Sequence, residues 1–100
     1  MVIEFLTFKV PSEIRAKWES LDKEVWTRFL STQKGFVKKE LWQSTDLRDK
    51  VHAVIWWDSK ESWSAITPEK ISEVDKGMGD YLIEPEMKEF MVLDHSGSQK

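Results

Sequence analysis

The stretch Val51-His52-Ala53-Val54-Ile55-Trp56-Trp57 decides the fold, because it is the most hydrophobic segment of the chain. Its odd-numbered positions are all apolar, and its even-numbered positions are interrupted only by His52. A strand with one face in water alternates more clearly between apolar and polar residues, so this pattern predicts a strand covered on both faces. We therefore expect residues 51–57 to lie at the centre of a sheet.

The chain before this segment predicts two further strands and one helix. Residues 2–10 are apolar on both alternating faces and end at Pro11, which cannot donate to a strand ladder. Residues 36–44 predict the other strand, with Gly35 in front of it suited to a positive φ at the end of a helix. Between them, apolar residues recur at steps of three and four, which predicts an amphipathic helix of about five turns. Its apolar positions are Ile14, Trp18, Leu21, Val25, Trp26, Phe29 and Leu30.

The chain after the central segment predicts two helical segments and a last strand. Ser59 follows Asp58 as a helix cap, and Thr67-Pro68-Glu69 combines a cap, a proline at the first helical position and an early acid. Glycines at 77 and 79 are expected to end this helix. Residues 87–93 predict the fourth strand, and residues 96–100 predict a flexible polar tail.

The element order β-α-β-β-α-β predicts one α+β domain over residues 1–95 with a ferredoxin-like fold. This fold has an antiparallel four-stranded sheet with two helices on one face. Because the strands at 2–10 and 51–57 are apolar on both sides, the face without helices would expose a large apolar area. A second copy of the sheet would cover it, which predicts a homodimer through the sheet face, a dimeric α+β barrel. The alternative is a monomer that binds a ligand on this face.

Composition excludes several classes of function. The chain has 100 residues, no cysteine and two histidines, so it has no thiolate zinc site and no spacing typical of metal ligands. A net charge of −3 argues against binding to nucleic acid. The longest apolar run, residues 53–57, is too short to span a membrane, and the N-terminus does not resemble a secretory signal. These features predict a cytoplasmic protein, and the chain contains no P-loop or dinucleotide glycine pattern that would bind a nucleotide cofactor.

Tryptophan is the most unusual component, with six residues in the chain. Aromatic walls with few polar groups suit a site for a flat hydrophobic molecule, but they also suit the core of a small domain. Both interpretations stay open at this point. The candidates for lining a pocket between helices and sheet are Trp18, Trp26, Trp42, Trp57 and Trp63.

Among the titratable residues of the predicted strands, three are candidates for acid–base chemistry. His52 is a candidate general base, since the ordinary pKa of histidine suits proton abstraction at neutral pH, although a histidine in a strand also serves structural roles. Glu4 and Glu40 are alternative candidates for a buried catalytic carboxylate. Each could instead form a cross-strand pair with a neighbouring lysine.

Three short motifs resemble the family of antibiotic-biosynthesis-monooxygenase-like domains. The run 57–63, WDSKESW, resembles the segment of this family where the third strand meets the second helix. Lys34-Gly35-Phe36 resembles its P-G-F step, and Trp42-Gln43-Ser44 resembles its W-x-S segment. The resemblance covers roughly residues 1 to 94. It implies a dimeric α+β barrel, in a family where some members oxidise aromatic or polyketide-like compounds with O₂ alone and others degrade haem.

The haem-degrading branch of this family acts through an Asn on strand one, a Trp in the second helical region and a later His. Here the first strand contains no Asn, the Trp position falls on Ile66, and residues 69–82 contain no His. The resemblance therefore argues against haem degradation by that triad. It favours a cofactor-independent monooxygenase acting on a small aromatic or polyketide-like compound. The alternative is a non-catalytic dimeric module that binds a hydrophobic small molecule or a protein partner.

Overall fold

The computed structural model describes residues 1–96 and confirms the predicted ferredoxin-like α+β architecture. Its four strands form one fully antiparallel sheet in the order β2-β3-β1-β4, so the hydrophobic segment lies in the interior of the sheet as expected. The strands are β1 (Val2–Lys9), β2 (Phe36–Gln43), β3 (Lys50–Trp57) and β4 (Glu86–Met91). Residues 97–100 of the predicted polar tail lie outside the described residues, so the flexibility of this tail stays a prediction.

The first helical run, residues 12–30, has about the predicted number of turns, but it ends before Gly35 and is not one regular α-helix. A 3₁₀ turn (Ser12–Ile14) leads into α1 (Arg15–Asp22), a π-helical turn (Lys23–Thr27) follows, and α2 (Arg28–Leu30) ends the run. The steps of three and four between its apolar residues do not distinguish this wider turn from a regular α-helix. Short π-helical turns inside helices often lie at functional sites.

The second half of the chain contains α3 (Lys60–Ser64), α4 (Pro68–Asp75) and a 3₁₀ segment (Lys76–Tyr81). Both predicted caps are confirmed. The Ser59 hydroxyl accepts from the backbone N–H of Ser62 at 3.2 Å, and the Thr67 hydroxyl accepts from the backbone N–H of Lys70 at 3.1 Å. These bonds satisfy backbone donors that have no partner inside the helix.

Gly35 has the expected positive φ, +87°, but serves a different junction from the predicted one. The first helical run ends at Leu30, so Gly35 lies at the start of β2 rather than directly after the helix. Its carbonyl accepts from the backbone N–H of Asp58 at 2.8 Å, and a Cβ here would overlap the side chains of Asp58 and Ser62. A glycine is therefore needed to bring β2 against the start of α3.

A β-bulge near the start of β2 decides which side chains face the helices. Phe36 pairs with Trp57, but Lys38 pairs with Trp56, so Val37 is the additional residue. Beyond the bulge, side chains on β2 face the opposite side from the one that simple alternation from Phe36 predicts. Lys39 consequently shares the helix-covered face with Phe36, whereas Trp42 lies on the other face of the sheet.

The two faces of the sheet have different environments. The helix-covered face carries most of the core, where Trp18 packs on Phe8 with ring centroids 4.9 Å apart. The buried residues of β3 on this face are Val51, Ala53, Ile55 and Trp57. The other face, which we call the open face, carries alternate residues of the same strands and has no helix against it. Both faces of β1 and β3 are rich in apolar residues, as the sequence predicted.

Candidate active-site cavity

A cavity of about 620 Å³ lies between the helix-covered face of the sheet and the helices. This volume falls within the range of about 300–1,000 Å³ that is typical of small-molecule sites. β1 and β3 provide the floor, the first helical run and α4 provide the walls, and the segment before β4 provides part of the rim. Its apolar lining includes Leu6, Phe8, Trp18, Trp26, Leu30, Ala53, Ile55, Trp63, Ile66, Met78 and Met87.

Three of the five candidate tryptophans line this cavity, namely Trp18, Trp26 and Trp63. Trp57 is fully buried behind the wall, in the cluster that contains Leu30 and Ile55. Trp42 is 45% exposed on the open face, which corrects the prediction that it joins the pocket. The physical reason is the bulge at Val37, which reverses the alternation of side chains along β2.

Glu4 is the carboxylate that the sheet presents to the cavity. One of its oxygens accepts a hydrogen bond from the indole Nε1 of Trp57 at 3.0 Å. Burial raises the pKa of Glu4 above its ordinary value, while the Trp57 hydrogen bond and the charges of Lys39 and Lys60 oppose this effect. A carboxylate in such surroundings is a stronger base than one in water, so Glu4 has the properties of a general base.

A buried ion pair forms a second polar feature of the cavity wall. The Lys39 ammonium lies 2.6 Å from a carboxylate oxygen of Asp22 and 2.8 Å from the hydroxyl of Thr27. The side chains of Lys39 and Asp22 are only 4% and 3% exposed. Lys39, Ile55 and Glu4 form one row across three strands, so the pair lies on the same face as Glu4. Because Asp22 neutralises Lys39, this lysine adds little net charge to the site.

A third polar group, Asp75, enters the cavity from the end of α4. Its carboxylate accepts a hydrogen bond from the indole Nε1 of Trp26 at 3.0 Å. Burial raises the pKa of Asp75, and the Trp26 hydrogen bond acts in the opposite direction. Trp26 belongs to the π-helical turn, so this irregular turn contributes to the cavity wall. Sequence reasoning missed Asp75, because nothing in the local pattern of α4 distinguishes it from a solvent-exposed acid.

The indole N–H of Trp18 is buried and has no hydrogen-bond partner among the described residues. Trp18 is 1% exposed and lines the cavity. Leaving a buried donor unpaired costs about 1–3 kcal/mol, and such a group calls for a specific explanation. An acceptor on a bound molecule would satisfy this donor.

His52 lies on the open face and not in the cavity, so the structure does not bring it together with the three lining tryptophans. Its Nδ1 is 3.0 Å from the Thr7 hydroxyl, and its ring stacks on Phe5 with centroids 4.9 Å apart. The physical reason is its even-numbered position in β3, whose odd-numbered residues face the helices. Glu40 also lies on the open face, where it pairs with Lys38 at 3.4 Å and accepts from Trp42 Nε1 at 2.8 Å. Lys38 lies on the same strand as Glu40, so this pair is not the predicted cross-strand one, and Glu40 is not a cavity residue.

Two features are absent from residues 1–96, and each concerns another kind of site. No helix in this range is long and apolar enough to cross a membrane. No group of three or more His, Asp or Glu side chains in the same range is arranged to hold a metal ion.

The fold and the cavity together define a ferredoxin-like domain with an aromatic-lined cavity between its sheet and its helices. The family model described as "Antibiotic biosynthesis monooxygenase" matches residues 1–67. The chain belongs to this family, which confirms the resemblance of its motifs. The matched region contains Glu4 and Lys39 but ends before Asp75. A comparison with curated protein sequences finds no match.

Solved structures share the fold at low sequence identity. The haem degrader MhuD from Mycobacterium tuberculosis, with two haems bound, is 18% identical, with a TM-score of 0.78 over 97% of this chain and 100% of that one. The ActVA-Orf6 monooxygenase from Streptomyces coelicolor, in complex with nanaomycin D, is 13% identical, with a TM-score of 0.78 over 98% and 92%. SnoaB from Streptomyces nogalater, a cofactor-independent oxygenase, is 20% identical, with a TM-score of 0.73 over 94% of each chain.

Proposed function

We propose that this protein is a cofactor-independent monooxygenase that oxidises a small aromatic, polyketide-like compound in the cavity. Membership of the antibiotic biosynthesis monooxygenase family supports the class of reaction. The aromatic lining supports a flat, hydrophobic substrate. The observation that carries the proposal is Glu4, a carboxylate of raised pKa that lines this cavity.

The proposed reaction needs a base but no external reductant. Glu4 removes a proton from an activated CH₂ group of the substrate, which leaves a delocalised carbanion. The carbanion transfers an electron to O₂, and combination of the resulting radicals forms a C–O bond in a hydroperoxide. The peroxide oxygen takes the proton back from Glu4 as this hydroperoxide forms. Loss of water then breaks the O–O bond and converts the CH₂ group to C=O. One oxygen atom enters the product, the other leaves as water, and the substrate supplies all four electrons.

The surroundings of Glu4 suit this role. The Trp57 N–H orients one carboxylate oxygen, and the pair is held between neighbouring strands of the sheet. Apolar side chains around the cavity exclude water, which would otherwise protonate the carbanion. His52 is separated from Glu4 by the thickness of the sheet, so we assign the proton abstraction to Glu4 and not to His52.

Oxygen uptake with anthrone as the probe tests this proposal, because anthrone contains such a CH₂ group between two aromatic rings. We expect O₂ to be consumed in a one-to-one ratio with anthrone and one ¹⁸O atom from ¹⁸O₂ to enter anthraquinone. Glu4→Gln keeps the acceptor for Trp57 but removes the base, and should lower kcat by about 10²–10⁴-fold. His52→Ala is the comparison variant and should retain the activity.

Two results would contradict the proposal. Equal rates for Glu4→Gln and the unaltered protein would exclude Glu4 as the base. No protein-dependent oxidation of anthrone or of related polyketide-like CH₂ compounds, together with tight binding of them, would favour the non-catalytic ligand-binding module instead.

We also propose that the open face forms a homodimer interface, as the family resemblance implies. Phe5 forms edge contacts with Trp42 and Phe90, at centroid distances of 6.2 and 5.7 Å, so aromatic rings extend across the face. Trp42 and Phe90 remain 45% and 48% exposed. A second copy of this face would bury these rings through an isologous contact.

Native mass spectrometry tests the dimer and also weighs any retained small molecule. We expect an assembly of two 11.8 kDa chains. The double variant Trp42→Glu with Phe90→Glu places charges on the open face and should be monomeric. Leu47→Glu, at an exposed position in the β2–β3 turn, should remain dimeric. A monomeric unaltered protein would refute the interface.

A further inference from the structure

The charged groups around the cavity are not balanced. Glu4 and Asp75 each accept from one indole N–H, from Trp57 and Trp26 respectively, and neither has a cation within salt-bridge distance among the described residues. Glu84 adds another carboxylate to the rim. Among residues 1–96, the acidic residues that line the cavity therefore outnumber the basic ones.

The nearby cations are engaged with other acids. Lys39 is neutralised by Asp22 and also donates to Thr27. Lys60, the other cation that acts on Glu4, pairs with Glu89 at 2.9 Å and lies over the Trp63 ring at 3.8 Å. Neither lysine is free to compensate Glu4 or Asp75 at close range.

Burying a carboxylate without a cation is costly, and burial becomes favourable when a bound partner supplies the charge. The aromatic lining also favours a cationic ligand, because the faces of tryptophan rings attract cations. Trp18, which lines the cavity, also has a buried indole N–H without a partner among the described residues. An aromatic amine would suit the carboxylates and the aromatic lining, whereas a carboxylate-bearing ligand would meet repulsion.

We propose that the cavity selects aromatic ligands that carry a protonated amine, with Asp75 as the anchor for the ammonium group. This inference rests on the proposed function, since it names the substrate class of the same cavity. Asp75 holds the ammonium group, and Glu4 remains available to the CH₂ group of the substrate.

Three probes of similar shape and different charge test this inference: naphthylmethylamine, naphthylmethanol and naphthoate. Binding is measured at neutral pH by isothermal titration calorimetry, which needs no turnover. We expect the amine to bind at least about tenfold more tightly than the alcohol, and naphthoate to bind most weakly. Asp75→Asn should abolish most of the difference between amine and alcohol, while leaving the affinity for the alcohol nearly unchanged.

Glu73→Gln is the matched control, because it also removes one negative charge but from an exposed ion pair with Lys70 outside the cavity lining. It should preserve the preference for the amine. Equal affinities for amine and alcohol, tighter binding of naphthoate, or no binding of any probe would overturn the inference. So would an unchanged preference in a folded Asp75→Asn variant. Selective amine binding with no protein-dependent oxidation of either anthrone or an aminomethyl-substituted anthrone would refute the monooxygenase proposal and leave this inference standing.

Discussion

The buried pair of Lys39 and Asp22 provides a quantitative test of how the cavity wall is stabilised. Lys39→Met keeps a side chain of similar length but removes the ammonium that lies 2.6 Å from the Asp22 carboxylate. The Asp22 side chain is 3% exposed, so water does not reach it to replace the lost partner. The variant thus leaves an uncompensated charge in the interior.

The expected cost follows from this geometry. Removing one partner of a buried pair destabilises a protein by about 3–5 kcal/mol, because the remaining charge keeps its desolvation penalty. For a domain of this size, each kcal/mol lowers Tm by roughly 4–8 °C, which corresponds to a decrease of roughly 12–40 °C. Asp22→Leu combined with Lys39→Met removes both charges and should recover to within about 1 kcal/mol of the unaltered protein.

Urea unfolding followed by tryptophan fluorescence measures these free energies and the coupling between the two substitutions. Lys70→Met is the control, since its pair with Glu73 is exposed and should contribute no more than about 1 kcal/mol. A cost below about 1 kcal/mol for Lys39→Met would refute the reasoning. Additive losses in the double variant would refute it as well, because they would show that the two charges do not depend on each other.

Two further predictions concern Glu4 and the glycines. Burial raises the pKa of Glu4 above 4.5, so the folded state binds its proton more tightly than the unfolded state, and this contribution to stability is lost as the pH rises through the raised pKa. In urea titrations at several pH values, the free energy of unfolding of Glu4→Gln should therefore fall less with rising pH than that of the unaltered protein. Identical pH profiles would contradict the raised pKa. Gly35→Ala should cost about 1–3 kcal/mol for its positive φ. It should cost more than Gly79→Ala, because of these two positions only 35 would bring a Cβ against other side chains. Thermal denaturation compares the two variants, and equal losses of stability would contradict the close approach at Gly35.

The sequence was sufficient for the element order because each element has its own signal. The apolar run 51–57 indicated the interior strand, and Thr67-Pro68 indicated the start of α4. The bulge at Val37 has no comparable signal, since one additional residue in a strand changes neither composition nor local propensity. The face on which Trp42 lies depends on this bulge. The strand was therefore predicted correctly, while Trp42 was assigned to the wrong face of the sheet.

The polar groups of the cavity were predictable only in part. Alternation along β1 placed Glu4 on the same face as Leu6 and Phe8, and this position is confirmed. The partner of Glu4 is the indole N–H of Trp57, not a lysine, and this contact depends on how a large side chain packs across the strands. Asp75 meets Trp26 across 49 residues, so no local pattern could have linked them.

Alternation along β1 separates the proposed chemistry in the cavity from the proposed dimer interface, which lie on opposite sides of this strand. Glu4 faces the cavity and accepts from Trp57, whereas Thr7 faces the open side and lies 3.0 Å from the His52 ring. Both contacts join β1 to β3, and these strands pair along the whole of β1. A substitution on the open face can therefore reach Glu4 only by moving this strand pair, which the extensive hydrogen bonding of the ladder resists. For this reason the dimer interface and the chemistry in the cavity should be separable by mutation.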